Sequence, residues 1–124
     1  MSVTVVSPPA LIRLDPSDKR TIAFDWDRKS LRAGVTISTS TFTITAIRQS
    51  GATALTKDNP SILSAADATT VCERTIAISR VTQVRLDATT ATAGDEYELA
   101  NTIVTSESPT QTKEQSIRVV IQNL

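Results

Sequence analysis

From Ala93 to Thr105 the chain reads Ala-Gly-Asp-Glu-Tyr-Glu-Leu-Ala-Asn-Thr-Ile-Val-Thr, and this stretch constrains the fold more than any other. Gly94 supplies the positive φ that a tight turn needs. Beyond it Tyr97, Leu99, Asn101 and Ile103 alternate onto one face, the period of a half-buried strand. A tyrosine placed just after such a turn, on the next-to-last strand, matches the tyrosine corner of sandwich domains. There the ring lies in the core and the hydroxyl returns to nearby backbone.

The rest of the chain reads as short strands separated by turn residues. Ser2–Val6 and Leu11–Leu14 are two short strands on either side of Ser7-Pro8-Pro9, whose prolines force an extended course. Asp15-Pro16-Ser17-Asp18 is a turn. Arg20–Asp27 alternates, with Ile22, Phe24 and Trp26 inward and Thr21, Ala23, Asp25 and Asp27 outward. Leu31, Ala33 and Gly34 carry a turn. Val35–Ile47 is the longest β-prone run. Its inward parity changes within Ser38-Thr39-Ser40-Thr41, which calls for a bulge or a switch between sheets.

Gly51 centres the next polar turn, and Asn59-Pro60 interrupts Ala54–Ala68. Within that segment Ser64–Ala68 is compatible with a helical turn or a loop. Thr70–Ser79 reads as a strand with Cys72, Ile76 and Ile78 inward, and Val81–Leu86 as another with Val84 and Leu86 inward. A hairpin loop at Ser106–Thr112 precedes the last strand, Gln115–Ile121, with Ile117, Val119 and Ile121 inward. Strands at such regular spacing form a sandwich or a barrel. The tyrosine placement favours an all-β, immunoglobulin-like antiparallel β-sandwich of about seven or eight strands. Residues 1–14 read as an extended N-terminal arm and 15–124 as the sandwich.

With 124 residues, a single domain buries enough surface to fold without a metal or a disulfide. Thirteen basic residues balance thirteen acidic ones, which fits neither a nucleic-acid binder nor a polybasic membrane-surface protein. No apolar run reaches the length of a membrane span, and Met1–Pro9 lacks the pattern of a signal peptide. The lone Cys72 suits a reducing compartment.

Candidate chemistry is sparse. The chain has no histidine, which removes Ser–His–Asp and Cys–His arrangements and the commonest zinc ligand. Asp25 and Asp27 form an acidic pair of a kind that binds Ca²⁺ or works as acid and base. The polar parity of the strand makes them a solvated outer face instead. Asp95 and Glu96, joined by Asp15 or Asp18, would be needed for a Ca²⁺ site, but turn chemistry alone accounts for them. Cys72 lacks an activating base and reads as a small buried hydrophobe. A Ser–Lys pair has no supporting spacing, and three glycines make no phosphate loop. Phe24, Trp26, Phe42 and Tyr97 point inward, as core rather than as a sugar platform. The expectation is no enzyme, no catalytic residue, no cofactor and no metal.

Taken in order, several segments resemble a known family. They are Asp15-Pro16-Ser17-Asp18, Phe24-Asp25-Trp26, Gly34-Val35-Thr36-Ile37, Arg74-Thr75-Ile76-Ala77-Ile78-Ser79, Thr92-Ala93-Gly94-Asp95-Glu96-Tyr97 and Val104-Thr105-Ser106. Together, over Asp15 to Ile121, they look like the small immunoglobulin-like structural proteins of tailed bacteriophages, of the fibre–tail adaptor or head-associated type. Two departures stand out. Ala88-Thr89-Thr90 occupies the place of a Gly-Gly pair, and Ser108-Pro109 that of a hairpin glycine.

The resemblance implies a virion structural protein, synthesised in the host cytoplasm, that binds capsid, neck, tail or fibre subunits. It would work as an adaptor or as a decoration and cement module, as a homo-oligomer or in many copies, without nucleic acid or membrane. Cement and adaptor both remain open. The alternative is a carbohydrate- or host-surface-binding immunoglobulin-like module.

Overall fold

The computed structural model describes residues 3–29 and 31–124. Two four-stranded sheets pack face to face. Eight strands supply them: β1 (Val3–Val6), β2 (Leu11–Leu14), β3 (Lys19–Asp25), β4 (Ile37–Arg48), β5 (Thr56–Ile62), β6 (Val81–Asp87), β7 (Glu96–Thr105) and β8 (Thr112–Ile121). Two helices interrupt them, α1 (Trp26–Lys29) and α2 (Ala65–Cys72). The sheet orders are β1-β3-β6-β5 and β2-β8-β7-β4. That division between layers is immunoglobulin-like.

The alternating residues place themselves as their parity requires. Ile22, Phe24, Val84, Leu86, Tyr97, Leu99, Ile103, Ile117, Val119 and Ile121 meet between the sheets in one buried core. Phe24 and Phe42 face each other across it with ring centroids 5.9 Å apart. The parity change in β4 is a bulge: Ile37 pairs with Thr105 and Thr39 with Val104, so Ser38 is left over. Gly94 turns the chain with φ +96°.

Among the described residues Asn101, inward on β7, is the one fully buried side-chain amide, and all its hydrogen-bonding capacity is met. Its Oδ1 accepts from Trp26 Nε1 at 2.8 Å and from Thr82 Oγ1 at 2.6 Å. Its Nδ2 donates to Ser40 Oγ at 2.8 Å and to the Thr41 carbonyl at 3.1 Å. One buried side chain thereby ties β4 and β7 to α1 and β6 of the other sheet.

Four expectations need correction. First, the sandwich is not wholly antiparallel. β1 pairs with β3 and β2 with β8 in parallel, because the chain reverses at Ser7–Ala10 and changes sheets. Second, the N-terminal segment is not a loose arm beside the domain: Val6, Ile12 and Leu14 are buried in the shared core. Met1 and Ser2, where the arm was expected to begin, lie outside the described residues.

Third, Thr70–Ser79 is not a strand. Its first residues finish α2, whose N-cap Ser64 accepts from the Asp67 amide, and Glu73 ends the helix in the left-handed region. Alanine is the best helix former, and Ala65, Ala66 and Ala68 together favour a helix over the strand reading. Ile78 is consequently exposed rather than inward. Fourth, β3 stops at Asp25, and Trp26 opens α1.

Helix α2 has a particular consequence for the site. Ala68, Leu63, Ile76 and Val81 form a second small core with Ala23, packed against by Val3, Val71 and Cys72. Ala23 lies on the outer face of β3. Part of that sheet is thus covered on both sides, and residues that alternation marks as solvent-facing are buried.

Candidate functional site

One end of the sandwich gathers the β1–β2 turn, the β3–β4 connection, the α2–β6 loop and the β7–β8 hairpin loop. At its centre lie Asp25, Asp27, Arg74 and Arg80. Asp25 closes β3 on the face that α2 and its following loop cover, and its side chain is 4% exposed. The loop from 73 to 79 is bracketed by two residues at positive φ, Glu73 at 58° and Ser79 at 59°. These left-handed residues turn the backbone sharply on either side of the loop.

Arg74 grips Asp25 with both terminal nitrogens, Nη1 to Oδ2 at 2.7 Å and Nη2 to Oδ1 at 3.0 Å. Its Nη2 also reaches Asp27 Oδ2 at 3.0 Å. Arg80 donates from Nε to Asp27 Oδ1, from Nη1 to the carbonyls of Arg32 and Val35, and from Nη2 to that of Leu31. A guanidinium suits this task because its planar fork offers several fixed donors.

The hydrogen bond from Arg80, reinforced by Arg74, holds the Asp27 carboxyl below the usual carboxylate range. The Arg74 guanidinium is shifted further up by Asp25 and then Asp27. The four charges cancel, as a largely desolvated cluster requires. At the rim, Arg32 pairs with Glu107, which also accepts from Thr105 Oγ1. Thr36 and Ser106 join the two loops through Thr36 N–H to Ser106 Oγ and Ser106 N–H to the Thr36 carbonyl.

Two cavities flank the cluster. One of about 300 Å³ lies between Val5–Ser7 and Val71–Arg74, with Asp25 in its wall. The other, about 470 Å³, is a mostly apolar groove between Ala33–Thr36 and Ala77–Ile78, with Asp27 and Arg80 in its wall.

Chemically, the arrangement is a clamp. A carboxylate held by two guanidinium groups is a weak base, so Asp27 is poorly suited to proton transfer. Cys72 lines the smaller cavity, half-buried. The other acidic residues singled out above lie at the opposite end. Asp95 Oδ1 accepts from the Ser50 amide and hydroxyl. Asp15 accepts from Ser17 and from the Leu124 amide. Among the described residues no group of three or more His, Cys, Asp or Glu side chains is placed to hold a metal ion. Nor, among them, is any helix long and apolar enough to cross a membrane.

Tyr97 is fully buried, as its position predicts. Its hydroxyl, however, has no partner at hydrogen-bond geometry. The Leu55 backbone and the Asp95 carboxylate are close enough to influence it, and burial is the larger effect, raising the phenol pKa.

The pairing of Asp25 and Asp27 with Arg74 and Arg80 corrects the reading of a solvated face. Alternation along β3 was right; what it lacked was the layer above. The partners lie about fifty residues away in sequence, a separation of 47 between Arg74 and Asp27 and 53 between Arg80 and Asp27. No local pattern announces such pairs. The available hint was two carboxylates flanking a tryptophan at the end of the apolar run Ile22–Phe24. No protein-family model matches the chain, and no curated protein matches it.

Proposed function

We propose that this protein is a non-enzymatic virion structural module of a tailed bacteriophage, binding capsid, neck, tail or fibre subunits through the arginine-clamped end of its sandwich. The observation that carries this reading is the groove beside Arg80. Ile78 stands 59% exposed at its edge, next to Val35, Ala33 and Ala77. The loops that form it are fixed by hydrogen bonds rather than left loose. Binding surfaces are commonly built from loops held on a rigid scaffold. An exposed apolar side chain over an apolar groove favours contact with another protein.

The ordered motifs from Asp15 to Ile121 supply the virion setting, as a resemblance. The carbohydrate-binding alternative lacks support in the ring positions: Phe24, Trp26, Phe42 and Tyr97 are all buried. A sugar platform needs exposed rings.

The test is incorporation into particles. Purified virions should contain the protein, and Ile78→Asp should lower its copy number while leaving its thermal midpoint unchanged. Hundreds of copies would identify a cement protein, a dozen or fewer an adaptor. Virions without the chain, or a clear glycan-array hit, would overturn the proposal.

A further inference from the structure

A sandwich has four outer strands, and three of them are blunted. β1 and β2 are four residues long. β5 is broken where Asn59 takes φ 51° and the pairing with β6 skips from Asp58 to Ser61. Short strands, proline and bulges are the usual ways to keep an edge from pairing with another chain. β4 is different. It is twelve residues long, and among the described residues no strand pairs with it on its far side. Its pairing with β7 shifts only near its two ends, at Ser38 and between Ala46 and Arg48, and is unbroken from Thr39 to Ala46. From Ile37 to Ile47 it carries neither a charge nor a proline.

From this contrast we infer that the free edge of β4 is a self-association site, joining antiparallel to β4 of a second copy across a two-fold axis. The occupant follows from the side chains. An antiparallel pair must match outward residues with outward ones. Thr39, Thr41, Thr43 and Thr45 are outward and exposed, so a two-fold centred near Thr43 sets threonine against threonine, a favourable cross-strand pair. On the inward side, half-buried Ile44 and exposed Ala46 gain cover. Nothing along the edge repels an identical strand. The result is one continuous eight-stranded sheet from two copies, an isologous contact. This deepens the reading of an interaction module by naming its first partner, and it rests on that reading only in that respect.

Sedimentation of the purified chain tests it without virion components, so failure here leaves the virion proposal standing, and the reverse. The wild-type chain should show a concentration-dependent monomer–dimer equilibrium. Thr41→Lys with Thr43→Lys places lysine against lysine at Thr43 or at its neighbour and should weaken dimerisation about a hundredfold. Mixing it with Thr41→Glu plus Thr43→Glu should restore dimers as heterodimers. Independently of any variant, β4 amides in the wild-type chain should exchange more slowly as concentration rises. A chain monomeric up to about 1 mM, or lysine variants that dimerise as well as the wild type, would overturn the inference.

Discussion

The two ends of this sandwich are closed by different chemistry. At the end holding Gly94 and Tyr97, carboxylates accept from nearby backbone amides: Asp15 from Ser17 and Leu124, Asp87 from Thr89, Asp95 from Ser50. Two of these bonds, Ser17 to Asp15 and Thr89 to Asp87, span two residues and finish single turns, while those from Ser50 and Leu124 tie a loop and the chain's end to them. At the other end, carboxylates meet guanidinium groups carried by distant segments, and Arg80 alone ties Asp27 to three carbonyls of the β3–β4 connection. Long-range clamping holds loops apart as well as together, and both cavities described above open beside it. The comparison teaches where to look for contacts: at the end whose loops are fixed by side chains.

The largest effect should come from Arg80. Arg80→Met removes the donor to Asp27 Oδ1, leaving that carboxylate to Arg74 alone, and takes the guanidinium away from the carbonyls of Leu31, Arg32 and Val35. It should lower the unfolding free energy by about 3 kcal/mol in urea. A loss below about 1 kcal/mol would mean the clamp is decorative. Next is the capped end. Gly94→Ala forces a side chain onto φ +96° and should cost about 1–2 kcal/mol, with a local rather than a long-range disturbance.

Acid should act on both ends, and salt should separate them. Asp15, Asp87 and Asp95 are depressed mainly by hydrogen bonds from backbone or hydroxyl groups, and Asp27 and Glu107 mainly by arginines. Because every folded value lies below the unfolded one, their stabilisation is complete above the unfolded carboxylate range and is lost as pH falls through the folded values. Carboxyl NMR titration in high salt should move Glu107, whose partner Arg32 is exposed, toward its ordinary value far more than Asp95. Equal shifts would blur the comparison. The smallest effect is Tyr97→Phe. Removing a buried hydroxyl without a hydrogen-bond partner should change stability by less than about 0.5 kcal/mol. A larger loss would show that the hydroxyl is bonded after all.

The layered fold was legible because alternation reports a buried face directly: Ile22 and Phe24 on β3, Leu99 and Ile103 on β7, and Ile117 to Ile121 on β8 each fall where parity puts them. Even the irregularity at Ser38 showed as a parity change. Helix α2 was only half legible: Ser64–Ala68 admits a helical turn or a loop, whereas Cys72, Ile76 and Ile78 share a parity that reads as a strand although the chain there finishes the helix and turns. That error propagated. Without α2 over β3, Asp25 looked solvated, and the roles of Arg74 and Arg80 had no basis. Asn101 shows the complementary limit. Its inward place on β7 could be read, whereas its four partners come from three other parts of the chain.

The most direct test of the clamp is residue-resolved hydrogen exchange on Arg80→Lys, which keeps the charge but loses the fork. Amides of Val35, Ile37 and Ser106, whose bonds to Arg32, Ser79 and Thr36 knit the clamped end together, should lose protection as a group. Those of Ser50, Gly94 and Ile121 at the capped end should be unchanged. Uniform loosening of both ends, or no change at either, would contradict the division between them.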